Sequence, residues 1–280
     1  MANDAAQVSE AGAVKGGRVG FLAVVARWRE EGRIGMILWP TASTIAFLAI
    51  WQYLSGGIVD ELLLPSVTDT ISALIDLANT YYFWEATWVT TQESVYGFAI
   101  GVLAAFILGT AIGLFRWVSL ALYPLIVAIE IVPRIALAPV FLAWFGFGLA
   151  SKVVMAAAIC FFPVLINVIL GLEGVNKDAR ALMRSLGASR WEEYRKLLLP
   201  SSLPAIFASL KIAITFALTG AIVAEFVGGT EGMGNLIKIF NFQLLIPEGF
   251  AVIVALSLLG VVLYGITMIL ESRIVFWRGH

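Results

Sequence analysis

Residues 153–172, VVMAAAICFFPVLINVILGL, run for twenty positions without an Asp, Glu, Lys or Arg. A helix needs about 20 apolar residues to cross a hydrocarbon core of ~30 Å. Windows of the same kind stand at Ile34–Val59, Ser94–Phe115 and Gly249–Leu270. Two further apolar stretches are interrupted. Leu120–Phe147 carries Glu130, Pro133, Arg134 and Pro139, and Leu203–Val227 carries Lys211 and Glu225. No period-2 strand pattern accompanies them, and backbone groups in lipid must bond internally, so helices are expected rather than a barrel. The reading is an all-α integral membrane chain with six transmembrane helices. Composition agrees: of 280 residues, 60% are hydrophobic and 13% charged, too few charges for the shell of an ordinary soluble domain.

Composition also narrows function. A net charge of −1 offers no basic face for nucleic acid. The single cysteine, Cys160, leaves no intramolecular disulfide or cysteine metal site, and the single histidine, His280, all but removes a zinc-protease helix or a Ser-His-Asp triad. Orientation follows from the positive charges. With the N-terminus in the cytoplasm, Lys15, Arg18, Arg27, Arg29, Arg33, Arg116, a cluster from Lys177 to Lys196, Arg273 and Arg278 all lie inside. The first external loop, Ser55–Glu93, has no Lys or Arg, and only Lys152 and Lys238 fall outside. The division expected is a cytoplasmic tail over 1–33, a membrane domain over 34–270 and a cytoplasmic tail over 271–280. Met1–Gly20 reads as a loose tail without the apolar core of a cleavable signal, so the first hydrophobic segment is expected to be a retained anchor.

Outside the spans, Val67, Ile71, Leu74, Ile75 and Ala78 repeat at helical spacing, which fits a short amphipathic helix or a simple connector. The glycines at 228, 229, 232 and 234 and Pro247 suggest an external turn or re-entrant piece. The cytoplasmic loop Glu173–Pro204 is more telling: it holds ten of the chain's 37 charges, yet it carries helix punctuation. Asn176 can cap a first helix that Gly187 stops near Leu186. Ser189, three before Glu192, has capping-box spacing for a second helix, which Pro200 and Pro204 are expected to close. Leu182 and Leu186 pair on the first helix. Trp191, Tyr194 and Leu198 form a stripe on the second, opposite Glu192, Glu193, Arg195 and Lys196. This is either a docking lever for a soluble partner or a hairpin packed on its own protein.

Asp178-Ala179-Arg180, Leu186-Gly187-Ala188-Ser189-Arg190-Trp191 and Leu199-Pro200 through Pro204 together resemble the "EAA" loop of ABC-importer permeases. Gly187, Leu197, Leu199 and Pro200 match that pattern in register, while its Glu-Ala-Ala is replaced by Ala181, Leu182 and Met183. That departure is similar to the nitrate/sulfonate/taurine-type branch. So are Leu64-Pro65-Ser66, Pro133, Ala138-Pro139, Trp144-Phe145-Gly146-Phe147-Gly148, Phe162-Pro163, Ala224-Glu225 and Gly232-Met233-Gly234. The resemblance covers about Pro65 to the C-terminus. It implies the type I ABC importer permease architecture, in a bacterial cytoplasmic (inner) membrane. The implied partners are a second permease copy, two cytoplasmic ATPase subunits that bind the ATP, and an external solute-binding protein. The helix Ser189–Leu199 would then sit in a groove of the ATPase. Gly187 would supply the turn, Ala188 and Ser189 close approach, Trp191 and Tyr194 apolar docking, and Arg190 and Glu192 charge pairing. The solute implied is a sulfonate-, taurine- or nitrate-like anion or a pyrimidine vitamin precursor.

Charge within a span is costly, so ionisable groups there face a cavity or a partner. Glu130 and Arg134 are four apart, a spacing that allows one helical face. They and Pro133 line a translocation path, with Arg134 meeting an anionic solute, or else the two charges form a structural pair. Glu225 is expected to mark a membrane edge, and Lys211 to snorkel. Leu54-Ser55-Gly56-Gly57 imitates an ABC-ATPase signature, but the chain has no Gly-x-x-x-x-Gly-Lys phosphate loop, so it is not expected to bind ATP or any other cofactor. Trp39, Trp51, Tyr81, Tyr82, Trp84, Trp88, Trp144 and Trp277 stand near span ends, as an interfacial belt does. A membrane-embedded enzyme and a structural scaffold are the competing classes. The first lacks paired catalytic groups in a shared loop, and the second gives the loop helix no moving partner.

Overall fold

A computed structural model describes residues 32–277, which form two compact units that divide after Thr68. The tail 1–31 and residues 278–280 lie outside the described residues. In the first unit, α1 (Gly32–Leu54) takes up the first charge-free window as far as Leu54 and contains Pro40. The carbonyl of Pro40 accepts from the hydroxyls of Ser43 and Thr44, both at 2.8 Å. The Ser55–Gly57 segment is a turn, with Gly56 at φ +71° and the Ser55 hydroxyl donating to the Leu64 carbonyl.

The second unit holds α2 (Val67–Ala78, which begins at the boundary), α3 (Tyr81–Leu114), α4 (Arg116–Glu130), a 3-10 turn (Arg134–Leu137), α5 (Ala138–Phe145) and α6 (Leu149–Glu173). It continues with α7 (Lys177–Ser185), α8 (Arg190–Glu193), a π-turn (Tyr194–Leu198), α9 (Leu199–Gly228), α10 (Met233–Phe242) and α11 (Ile246–Ile274). Among the described residues, α3, α6, the rod Arg190–Gly228 and α11 are long and apolar enough to cross a membrane. The α4 and α5 segments, bent by 86°, make a fifth if they count as one broken span.

Packing centres on α6, which is flanked by α3 and α9. Lipid tails are as apolar as leucine, so helices in a bilayer associate through close van der Waals contact, which small residues permit. Gly97, Gly101 and Gly109 of α3 face Ala156, Cys160 and Val168 of α6, and Gly220 of α9 faces Ala156 from the other side. A Cβ at Gly220 would stand 2.7 Å from the Ala156 Cα. Ala105, Ala156, Cys160, Val164, Val168, Ala213 and Ala217 fill the resulting core.

Three expectations change. First, the stretch to Glu93 is not all loop: α3 begins at Tyr81, and its 34 residues exceed what a hydrocarbon core requires. Second, α2 forms as a helix but turns Thr70, Ala73 and Leu77 inward, leaving Ile71 and Ile75 exposed. Third, Glu225 is not a marker of the membrane edge: it is fully buried, and its carboxylate caps α10. The Gly234 amide donates to Oε2 at 2.5 Å, and the Thr90 hydroxyl donates to Oε1 at 2.7 Å while accepting from the Met233 amide at 2.8 Å. Carboxylates favour helix N-termini because free amides and the macrodipole meet them there. The glycine-rich segment therefore does more than turn. Gly232 sits at φ +94°, and a Cβ on Gly232 or Gly234 would strike the Glu225 carboxylate.

Two lysines have defined partners. Lys152 is buried, donates to the Phe147 carbonyl at 2.7 Å and lies 3.8 Å from the buried Glu93. Lys211 pairs with Glu271 at 2.7 Å, tying α9 to α11.

Gly220→Ala is expected to lower the stability of the detergent-solubilised protein by about 1–3 kcal/mol, the usual range for overpacking. Gly265→Ala, whose added Cβ meets nothing within 4 Å, is expected to leave it unchanged or raise it slightly. Melting temperatures of the two variants beside the parent check both.

Candidate functional site

The charged segment between α6 and α9 folds as a helix–turn–helix. Asn176 Oδ1 accepts from the Asp178 amide at 2.7 Å and starts α7. At the far end Gly187 takes φ +79°, its amide donates to the Arg184 carbonyl, and the Ala188 amide donates to Met183, both at 3.0 Å. This pair of bonds is a Schellman closure, and it needs a residue that tolerates the left-handed region. A Cβ at Gly187 would meet nothing within 4 Å, so backbone conformation alone demands glycine there.

Ser189 then opens α8 with a complete capping box: the Glu192 amide donates to Ser189 Oγ, and the Ser189 amide donates to Glu192 Oε2 at 3.0 Å. Lys196 adds an ion pair to Glu192 at 3.0 Å. The Ser189 amide, Lys196 and the Ser189 hydroxyl together hold the Glu192 carboxyl at about 2.

Pro200 and Pro204 do not close this helix. The chain runs from Arg190 to Gly228 as one 39-residue rod. A π-turn over Tyr194–Leu198, in which the Leu199 amide reaches the Tyr194 carbonyl, shifts the register just before Pro200. A proline near the start of the new register lacks only an amide that had no partner to lose.

The apolar stripe divides. Trp191 is 65% exposed, whereas Tyr194 (6%) and Leu198 (1%) are buried in the chain's own core. Tyr194 therefore holds the hairpin to its own bundle, with its ring 5.5 Å from that of Trp191, rather than facing outward. Leu182, Leu186 and Trp191 are the exposed apolar residues of the hairpin. Arg190 and Ser189 are exposed, and Ala188 is half-buried.

Glu193, read from sequence as a solvated charge, is buried. Arg180 Nε donates to its Oε1 at 2.7 Å and Arg184 Nε to its Oε2 at 3.2 Å, locking α7 to α8. Burial works to raise its carboxyl, but the two guanidinium groups outweigh it and hold the carboxyl below the usual range. The missed signal was an Arg–x–x–x–Arg spacing on α7, one helical turn, opposite a single acid on α8.

The second candidate group does not assemble as a pair. Glu130 ends α4 and is exposed, Pro133 breaks the helix and is exposed, and Arg134 begins the 3-10 turn. A same-face pair requires an unbroken helix, and Pro133 removes it. Arg134 instead lays its guanidinium 4.5 Å from the ring centre of Phe162, and its buried Nε has no hydrogen-bond partner.

Residues 97–276 match the family of binding-protein-dependent transport system inner membrane components. The chain belongs to this family: it is a multi-pass membrane permease subunit of an ABC importer. Permease proteins for aliphatic sulfonates, taurine and nitrate are also among its relatives, at 26–28% identity.

Relatives include a formylaminopyrimidine transport permease protein, ThiX, of Halalkalibacterium halodurans. It is 33% identical over 85% of this chain and 95% of its own. The riboflavin transport system permease protein RibX of Chloroflexus aurantiacus is 32% identical over 86% and 91%. The putative aliphatic sulfonates transport permease protein SsuC of Bacillus subtilis is 28% identical over 82% and 84%. These are transport subunits, and the chain is one too rather than an enzyme.

Glu193→Gln leaves two guanidinium groups facing a neutral amide. It is expected to loosen the hairpin by about 1–2 kcal/mol, the lower figure because Arg184 is largely open to water. Amide exchange over residues 186–196 reads this directly. With both carboxyls depressed, their contribution is complete above the ordinary value of 4.5. It is lost as pH falls through the folded values, for Glu192 toward about 2. The parent hairpin should therefore keep its protection from neutral pH to near pH 5 and lose it in stronger acid.

Proposed function

We propose that this chain forms the translocation pathway of an ATP-driven importer for a small solute. Six spans, counting α1 and the bent α4–α5 pair, would place both termini in the cytoplasm of a bacterium with the 173–198 hairpin beside them. A second copy of the chain completes the pathway, two cytoplasmic ATPase subunits bind and hydrolyse ATP, and an extracytoplasmic solute-binding protein delivers cargo.

One observation carries this reading. An exposed apolar patch, Leu182, Leu186 and Trp191, sits on a hairpin capped at every helix end and clamped through Glu193. That hairpin continues without a break into a membrane-length rod of 39 residues, about 60 Å at helical rise. Gly187, Ala188 and Ser189 bring the backbone close to the ATPase, Trp191 is the apolar anchor, and Arg190 and Glu192 supply the charged rim. Tyr194 serves from behind, as a support. ATP binding favours one arrangement of the ATPases, and through this contact one arrangement of the bundle, which is a population shift.

For cargo, the relatives point to a pyrimidine vitamin precursor or a sulfonate-like anion. An Arg134 with an unused buried Nε, in the broken segment, suits a polar acceptor on either.

Trp191→Ala is expected to weaken capture of the ATPase subunits by about 2 kcal/mol, roughly 30-fold in affinity. Solute-stimulated ATP hydrolysis in proteoliposomes should fall with it. Full hydrolysis and undiminished affinity in that variant would end the docking proposal. Arg134→Ala should raise the solute concentration needed for half-maximal uptake while leaving ATPase capture unchanged; identical uptake kinetics would remove Arg134 from the pathway.

A further inference from the structure

Beside the hairpin lies a cavity of about 730 Å³ with two unlike walls. One wall is the end of α3 and the start of α4, where Leu114, Phe115 and Trp117 stand around Arg116. The other is the hairpin, which contributes Arg180, Arg184, Arg190 and Trp191. Four guanidinium groups line the space and one carboxylate, Glu193, stands among them, a formal excess of three positive charges. Arg180 and Arg184 share that carboxylate, while Arg116 and Arg190 form no ion pair among the described residues.

We propose that this cavity binds the phosphodiester headgroup of an anionic phospholipid and that the bound lipid steadies the hairpin. The apolar wall decides the class of ligand. Leu114 and Phe115 close a 34-residue membrane helix, and Trp117 is 84% exposed, as residues at a bilayer border are. A free inorganic anion has no use for that wall, whereas a lipid lays acyl chains against it and its phosphate among the arginines. Basic pockets between membrane helices hold anionic headgroups in this way, and guanidinium forks match phosphate oxygens in pairs. The lipid would stand against both α4 and the hairpin and hold them together from the membrane side. This inference rests on the proposed function only for its consequence in ATP turnover; binding itself does not depend on it.

The test uses the complete importer complex in nanodiscs of phosphatidylcholine, with or without about one fifth phosphatidylglycerol. Native mass spectrometry of the released complex should show retained phosphatidylglycerol on the parent. Arg116→Gln should reduce that retention about fivefold, in line with the attraction of one basic residue for an anionic surface. ATP hydrolysis by the parent should rise several-fold with phosphatidylglycerol. Arg116→Gln and Trp117→Ala should keep the basal rate in phosphatidylcholine and lose the rise.

Equal lipid retention by parent and Arg116→Gln overturns the proposal. So does the same stimulation in phosphatidylcholine on adding millimolar inorganic phosphate, which would assign the site to a free anion. If no ATP hydrolysis depends on the permease at all, the proposed function fails, and the retention measurement still decides the lipid site.

Discussion

The close approach of α3, α6 and α9 is the constraint on which the rest of the structure depends. In lipid no helix gains by hiding its leucines from the solvent, so packing must come from backbones brought near one another. Gly97, Gly101 and Gly109 on one side of α6 and Gly220 on the other allow that approach, with Ala156 at the centre touched from both. Apolar bulk is sent outward, and many of the large side chains of α3 and α11, such as Ile100, Leu103 and Val261, are exposed. A surface of this kind is stable only against lipid or further protein, which agrees with membership in a family of membrane permeases.

Glu225 and Glu193, at opposite ends of the rod, are buried carboxylates that accept hydrogen bonds, and the two do different work. At the Glu225 end the carboxylate and Thr90 satisfy the first amides of α10, so the polar groups of a helix start are matched inside the bundle. At the Arg190 end Glu193 joins two helices through two arginines. A buried carboxylate without partners is expensive, so Glu225 and Glu193 each fix the position of whatever supplies their donors. Sequence distance conceals both arrangements. Thr90 and Glu225 are 135 positions apart, and Glu193 looks like one more charge in a charged loop.

What the sequence allowed one to read follows from range. Charge-free windows locate apolar helices because the bilayer imposes a length and a composition locally. Caps are local too: Asn176, Gly187 and Ser189 with Glu192 stand in the structure as their spacing indicates. Misreadings arose where a tertiary partner overrides a local signal. Glu85 and Glu93 made the start of α3 look like loop, though Glu93 is buried against Lys152. Pro200 and Pro204 looked like stops, though a π-turn precedes Pro200 and the helix runs on through Pro204. Trp191 and Tyr194 looked equivalent at helical spacing, though only one of them faces outward. Glu130 and Arg134 looked like a pair only so long as the helix between them was taken as continuous.

The rod from Arg190 to Gly228 joins these themes. One end carries the exposed Trp191 and the other reaches Glu225, fixed to α3 and α10. Between them α9 lies against α6 at Gly220, so closely that even an added Cβ would meet the α6 backbone. Under the proposed coupling, little of a force applied at the hairpin is absorbed by rearranging side chains at that contact. It is taken up in the π-turn beside Pro200, the one irregular stretch of the rod, or it moves α9 together with its carboxylate and the helix that carboxylate caps. The π-turn is short, and Tyr194 and Leu198 within it are buried, so its compliance is limited by the same core that holds the hairpin. Under the proposed coupling, a rod anchored in this way carries displacement at the hairpin to the far end of the bundle, which is what switching between two access states requires.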